Sequence, residues 1–165
     1  MRTIIVGCGR VGAGLAERLA EAGQDVTIID INADVFSRLL PADFAGSAVR
    51  GDGTDEDTLR RLGAEGADLF FALTEGDNRN ILAAQLASET LGIPRVVAKV
   101  NDPVRAEAYT TLGISTICRT TRLIDSLGRY AGLPPLSGAE GVHEAAPHHH
   151  DDDGRAARAG SIREA

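Results

Sequence analysis

The run Gly7-Cys8-Gly9-Arg10-Val11-Gly12 constrains this chain more than any other stretch, because of what stands on either side of it. Thr3-Ile4-Ile5-Val6 precedes it, a short β-branched and apolar run that reads as a buried strand. Behind it Val11, Leu15 and Leu19 recur every fourth residue, so a helix opens inside the glycines. A G-x-G-x-x-G turn between strand and helix gives each glycine a task. Gly7 makes the tight turn, Gly9 lets backbone approach a pyrophosphate, and Gly12 lets the helix pack close to the strand. The helix N-terminus offers free N–H groups and a positive dipole end to phosphates.

Residues 25–30, DVTIID, read as a second strand ending in an acid. Asp30 lies 30 − 12 = 18 residues after Gly12, near the offset of a carboxylate that binds a ribose diol. A glycine turn that only packs a helix on a sheet leaves Asp30 unaccounted for. Asp30 can accept two hydrogen bonds from an adenosine ribose and repels a 2′-phosphate, which disfavours NADP.

The same alternation runs on. Helices are expected over about 11–22, ended by Gly23, and over about 34–40, stopped by Pro41. Residues 47–50 read as a third strand; Thr54 or Asp55 can cap a helix through Leu62. The continuous apolar run 67–73 reads as a strand buried on both faces. A helix over 80–91, a strand over 95–100 and a helix from Asn101-Asp102-Pro103 to about Leu112 follow. A strand over 114–118 and a helix over about 121–130 complete the pattern. The expected fold is α/β, a Rossmann-like, doubly wound parallel sheet of six strands in the order 3-2-1-4-5-6. Its ligand crevice lies at the carboxyl ends of strands one and four. The last helix carries Leu123, Ile124, Leu127, Tyr130 and Ala131, an apolar stripe that needs cover.

The net charge of −7 argues against nucleic acid as a partner. No apolar run approaches the length of a membrane span, and no signal-peptide pattern opens the chain. Cys8 and Cys118 form no C-x-x-C pair and read as small buried residues in a reducing cytoplasm. Residues 136–165 are poor in large apolar side chains and read as a low-complexity, flexible tail. Three histidines and three aspartates run together at His148–Asp153. On a flexible chain they lack the fixed geometry of a selective metal site. A short helix is expected over 155–164.

Several stretches together resemble the N-terminal nucleotide-binding domain of the RCK/KTN family, regulators of potassium conductance. GCGRVG resembles the family's glycine loop with Arg in fourth place, and DIN at 30–32 its strand-two ending. GDGTD at 51–55 resembles its strand-three turn, and TEGDNRNILAAQLA the stretch after strand four. VAKVNDP at 97–103 and GISTICRTT at 113–121 resemble its fifth-strand segment and the entry to its dimer helix. The resemblance covers about residues 1–135 and makes the last helix a dimerisation helix.

The resemblance implies a cofactor-binding set of Gly7, Gly9, Arg10, Val11, Gly12, Asp30, Ile31, Asp52, Gly53, Thr54, Leu73, Thr74 and Lys99, with no catalytic residue and no metal ligand. Asp52 and Thr54 either meet the adenine or cap the next helix. Lys99, the only lysine, either binds phosphate as a point charge or is exposed or salt-bridged. Arg10 either reaches terminal phosphates or faces solvent, and Thr74 and Asn80 either flank the ligand or cap a helix. The ligand is an adenosine nucleotide, NAD(H) or ATP/ADP.

Two departures stand out. Thr120-Thr121 occupies the place of the family's Pro-Glu, so its interface cation site is not carried over. The tail is also too short to supply the family's C-terminal ligand-binding domain, which implies a single-domain or truncated regulator. The resemblance implies a cytoplasmic subunit on the inner membrane face, partnered by a Trk/Ktr-type potassium transporter, by copies of itself and by a second RCK subunit. The rival reading is a minimal NAD-dependent oxidoreductase, which needs proton-transfer groups beside the nicotinamide. The histidines lie at 143 and 148–150, outside the expected core.

Overall fold

The computed structural model describes residues 1–139 and 141–145. The His148–Asp153 run and the helix expected over 155–164 lie outside them. Six parallel strands form one sheet in the order β3-β2-β1-β4-β5-β6. They are β1 (Arg2–Val6), β2 (Asp25–Asp30), β3 (Ser47–Arg50), β4 (Leu69–Ala72), β5 (Val96–Lys99) and β6 (Ser115–Ile117). The helices between and after them are α1 (Arg10–Glu21), α2 (Asp34–Leu39), α3 (Glu56–Arg61), α4 (Asp77–Gln85), α5 (Pro103–Thr111) and α6 (Arg119–Tyr130). The expected strand order is the observed one. None of the described helices is long and apolar enough to cross a membrane.

Strand alternation sorts the core into two layers. Ile4 and Val6 of β1 face a layer that includes Phe70, Ile81 and Val100, while Ile5 faces Val26, Ile28 and Ala16 of the other. The residues of α1 nearest the sheet are Gly12, Ala13 and Ala16, all buried. Their small side chains allow close approach, and Leu15 and Leu19 pack beside them. Val11, read in sequence as part of the packing stripe, is instead 57% exposed.

Three elements differ from expectation. α4 begins at Asp77, three residues before Asn80, and its last turn is a π-type turn over Leu86–Thr90. α6 begins at Arg119 rather than Thr121. β4 is not buried on both faces throughout. Phe71 is half-buried because none of the described helices covers β4 to β6 between α1 and α6, leaving an apolar groove of about 370 Å³.

Two fasteners hold the periphery. At the amino edge of the sheet the Arg2 N–H donates to the Asp68 carboxylate at 2.7 Å. The Arg2 guanidinium donates to the Leu62 carbonyl at 2.7 Å and stands 3.7 Å from Asp25. At the other end of the chain Asp125, the one buried residue of α6, accepts from Leu136 N–H at 2.7 Å and pairs with Arg129 at 2.8 Å. The chain past residue 135 then returns along the sheet edge. His143 exchanges backbone bonds of 2.8 and 3.0 Å with Thr116 of β6, and Ala139 is buried.

Candidate functional site: a crevice at the strand switch point

β1 leads left to β2 and the chain later returns right to β4, so the turns after these strands diverge and leave a crevice above the sheet. It holds about 810 Å³. Its walls include the turn after β1 (Gly7, Cys8, Gly9, Arg10), the end of β2 with α2 (Asp30, Ile31, Asn32, Val35, Arg38, Leu39), the turn after β3 (Gly51, Asp52, Gly53) and the turn after β4 (Leu73 to Gly76, Asn78, Arg79).

Gly7 and Gly12 take the structural places their spacing suggested. Gly7 has φ +104°, a left-handed value that L side chains rarely adopt, and a Cβ there would stand 2.8 Å from the Thr74 nitrogen. Gly12 is in the close contact between turn and helix, where a Cβ would fall on the Gly7 carbonyl oxygen. Gly9 has open space in front of it. Gly53 lies against Val6, whose Cγ1 a Cβ would strike.

Asp30 fastens the turn. Its Oδ2 accepts from the Cys8 N–H at 2.8 Å and its Oδ1 from the Asn32 N–H at 2.9 Å. A carboxylate offers about four lone-pair sites, so both oxygens keep capacity for a diol. Asp52 accepts at Oδ1 from the Thr54 hydroxyl at 2.7 Å and the Thr54 N–H at 2.9 Å. Those bonds, the hydroxyl's foremost, hold its carboxyl below the ordinary value, helped by the Arg79 charge. The α3 cap is Asp55, which accepts from Thr58 N–H at 3.0 Å.

The floor is a polar staple. Asn80, fully buried, accepts from the Thr74 N–H and hydroxyl at 2.8 and 2.7 Å and donates to the carbonyls of Thr74 and Lys99 at 3.0 and 2.8 Å. It is neither a cap nor a wall residue; it ties the ends of β4 and β5 together. Asp77 adds a second tie, accepting from Asn101 N–H and Nδ2 at 2.9 Å each and from Asp102 N–H at 3.1 Å. Burial pushes the Asp77 carboxyl up, but these bonds outweigh it and the net direction is down.

Of the residues expected to bind a cofactor, Gly7, Gly9, Arg10, Asp30, Ile31, Asp52, Gly53, Leu73 and Thr74 line the crevice. Gly12 and Thr54 support it from behind, through the contact with Gly7 and the bonds to Asp52. Lys99 and Val11 line the neighbouring apolar groove, which shares Leu73 with the crevice. Alternation explains Lys99. Val97 and Lys99 point to the groove side of β5, while Val96, Ala98 and Val100 point into the opposite core. Burial lowers the pKa of Lys99, and the nearby Arg119 adds to that.

Sequence reasoning missed Arg38 and Arg79. Arg10, Arg38 and Arg79 line one crevice and make no ion pair among the described residues, in a chain of net charge −7. For Arg38 a signal existed: Val35, Arg38 and Leu39 have the i, i+3, i+4 spacing of one helix face. For Arg79 there was none. Cys8 also lines the crevice, but burial, with the Asp30 charge adding, pushes its thiol up to about 11. The thiolate is the reactive form. Cys8 is therefore expected to resist iodoacetamide at pH 8 in the native protein and to react on unfolding; rapid native labelling, read by mass spectrometry, would contradict this.

The family model for the TrkA-N domain matches residues 3–120. The chain belongs to the TrkA-N family. This TrkA-N domain is 45% identical over 140 residues to the Trk system potassium uptake protein TrkA of Streptomyces coelicolor, covering 85% of this chain and 61% of that relative. The chain spans less than two thirds of the length of the curated relatives it first matches, 61% and 56%. Among solved structures it superposes on the AMP-bound form of the Shewanella denitrificans Kef CTD with a TM-score of 0.67 at 25% identity, covering 79% of each chain. The TrkA-N domain of the Escherichia coli inner membrane protein ybaL gives 0.69 at 16% identity, over 78% of this chain and 95% of that one, which shows the shared fold.

Proposed function

We propose that this TrkA-N domain is the nucleotide-sensing part of a potassium-uptake regulator. The observation that carries the reading is the crevice itself. A glycine turn fastened to Asp30 stands at the switch point of the sheet, in a chain 45% identical over 140 residues to a TrkA protein. The AMP-bound Kef neighbour supports an adenosine nucleotide as ligand. On this reading NAD(H) or ATP/ADP enters, the diol bonds Asp30, and a 2′-phosphate is repelled by the same carboxylate. The output is a change of shape passed to a Trk/Ktr-type membrane subunit, which holds the regulator on the inner face of the membrane. A ligand shifts such an equilibrium only through different affinity for two states.

Asp30→Ala is expected to lower affinity for ADP and NADH by about 1.5–3 kcal/mol in calorimetry, the range for a hydrogen bond to a charged group. Unchanged affinity for every adenosine nucleotide would remove the reading. Its second arm is co-purification with the Trk/Ktr-type membrane subunit, then potassium flux in vesicles with and without nucleotide. Failure to associate, or flux indifferent to both protein and nucleotide, would count for the rival oxidoreductase, which turnover of NADH with small carbonyls would reveal.

Assembly is part of the proposal. Leu123, Ile124, Leu127 and Tyr130 of α6 are 54–95% exposed, beside the open apolar groove. An apolar face of that kind marks an interaction surface, and a second copy or another RCK subunit is the proposed cover. Light scattering at micromolar concentration is expected to show a dimer or larger; a monomer with and without nucleotide would argue against it.

A further inference from the structure

Arg79 has no part in the reading above. It stands in the first turn of α4, is exposed, and lines the crevice. It makes no hydrogen bond or ion pair among the described residues. Asp52 stands in the turn after β3, on the far side of β2 and β1 from β4 and α4. Asp52 commits Oδ1 to Thr54, while Oδ2 accepts no hydrogen bond among the described residues. The two side chains are near enough for the Arg79 charge to act on the Asp52 carboxyl, yet they do not close into an ion pair. A cation and an anion thus line the same crevice without closing into an ion pair. Asp30, the ribose anchor of the proposed function, is hydrogen-bonded to the glycine turn. Phosphates run from the ribose toward that turn, so the base lies on the other side, toward Asp52, and the Arg79 side chain shares that crevice from the α4 side.

We propose that Arg79 is a base-stacking residue: its planar guanidinium lies over one face of an adenine whose exocyclic amino group donates to Asp52. This rests on the adenosine-nucleotide reading. A guanidinium is planar, weakly hydrated and stacks on π-faces, which a lysine ammonium does not reproduce. An ionised carboxylate only accepts. It pairs with the amino group of adenine and opposes the carbonyl oxygen that guanine carries at the same place.

The test is calorimetry on the whole chain with ADP and ribose 5-phosphate as probes, using wild type, Arg79→Ala, Arg79→Lys and Asp30→Ala. Because Arg79 is exposed, its two variants are expected to keep the wild-type unfolding transition. Arg79→Ala is expected to weaken ADP about tenfold and to leave ribose 5-phosphate, which has no base to stack on, unchanged. Arg79→Lys is expected to behave like the alanine variant, since it keeps the charge and loses the plane. Asp30→Ala is expected to weaken both ligands, because the ribose is common to them. If Arg79→Lys binds ADP as wild type does, or Arg79→Ala weakens ADP and ribose 5-phosphate equally, the side chain acts only as a charge and the proposal fails. Unchanged ADP affinity in Arg79→Ala also overturns it while leaving the proposed function standing. A wild-type chain that binds neither ADP nor NADH removes both.

Discussion

Gly12→Ala is expected to cost about 3 kcal/mol of stability and to remove nucleotide binding with it, at the upper end of what overpacking costs. The added methyl group would fall on the Gly7 carbonyl oxygen, with the side chain of Ile5 behind it. Neither can step aside cheaply. Gly7 is fixed by its left-handed φ and by an N–H bond of 2.8 Å to the Ile29 carbonyl, and Ile5 is fully buried. Relief requires α1 to move off the sheet, which opens the layer formed by Ala13, Ala16 and Ile28. Gly9→Ala is the control. A Cβ there meets nothing, so stability should change by less than about 1 kcal/mol, while the methyl stands where phosphate would approach. Urea denaturation separates the two. A Gly12→Ala midpoint matching wild type would mean that the turn tolerates a Cβ and that its closeness has no structural consequence.

Asn80→Ala is expected to cost about 2–4 kcal/mol and to weaken ADP binding, because truncation leaves several buried polar groups unpaired. The orphans are the Thr74 N–H, the Thr74 carbonyl and the Lys99 carbonyl, at the ends of two neighbouring strands. Thr74 and Leu73 are crevice walls, so a loosened β4 end misplaces the surface that faces the ligand. Asn80→Asp keeps the acceptors and loses both donors, and should rescue little. Stability within about 0.5 kcal/mol of wild type, the range of an ordinary surface change, would show that water replaces the amide.

The fold was legible because its signals are local. β-branched runs, the glycine turn and the acid at position 30 each occupy a few adjacent residues, and alternation with helices then leaves little choice of topology. The crevice was legible where its lining residues sit in turns directly after strands, as with Gly7, Asp30 and Asp52. It was not legible where tertiary placement decides. Lys99 ends a strand like the others, but pleat parity turns it to the groove. Asn80 looked like a cap because Asn is common there, yet it lies inside α4 and its partners come from residues 74 and 99. Val11 fitted the apolar period, while Gly12, Ala13 and Ala16 make the contact because small residues permit the closest approach. His143 carried no signal at all; backbone pairing to Thr116 is indifferent to side-chain type.

The Arg2 fastening makes the two edges of the sheet mechanically unequal. One side chain and its backbone N–H tie β1 to Asp25, Leu62 and Asp68, all at the edge where the strands begin. Where the strands finish, Asp30 ties β1 to β2 and Asn80 ties β4 to β5, but among the described residues no side-chain bond joins these two halves across the crevice. Local opening requires only the contacts of the segment that moves, and its free energy can lie far below that of global unfolding. The strand-finishing turns can therefore breathe around a ligand while the strand-starting edge stays shut as a fixed pivot. Ligand exchange and chain unfolding become separate events on separate time scales.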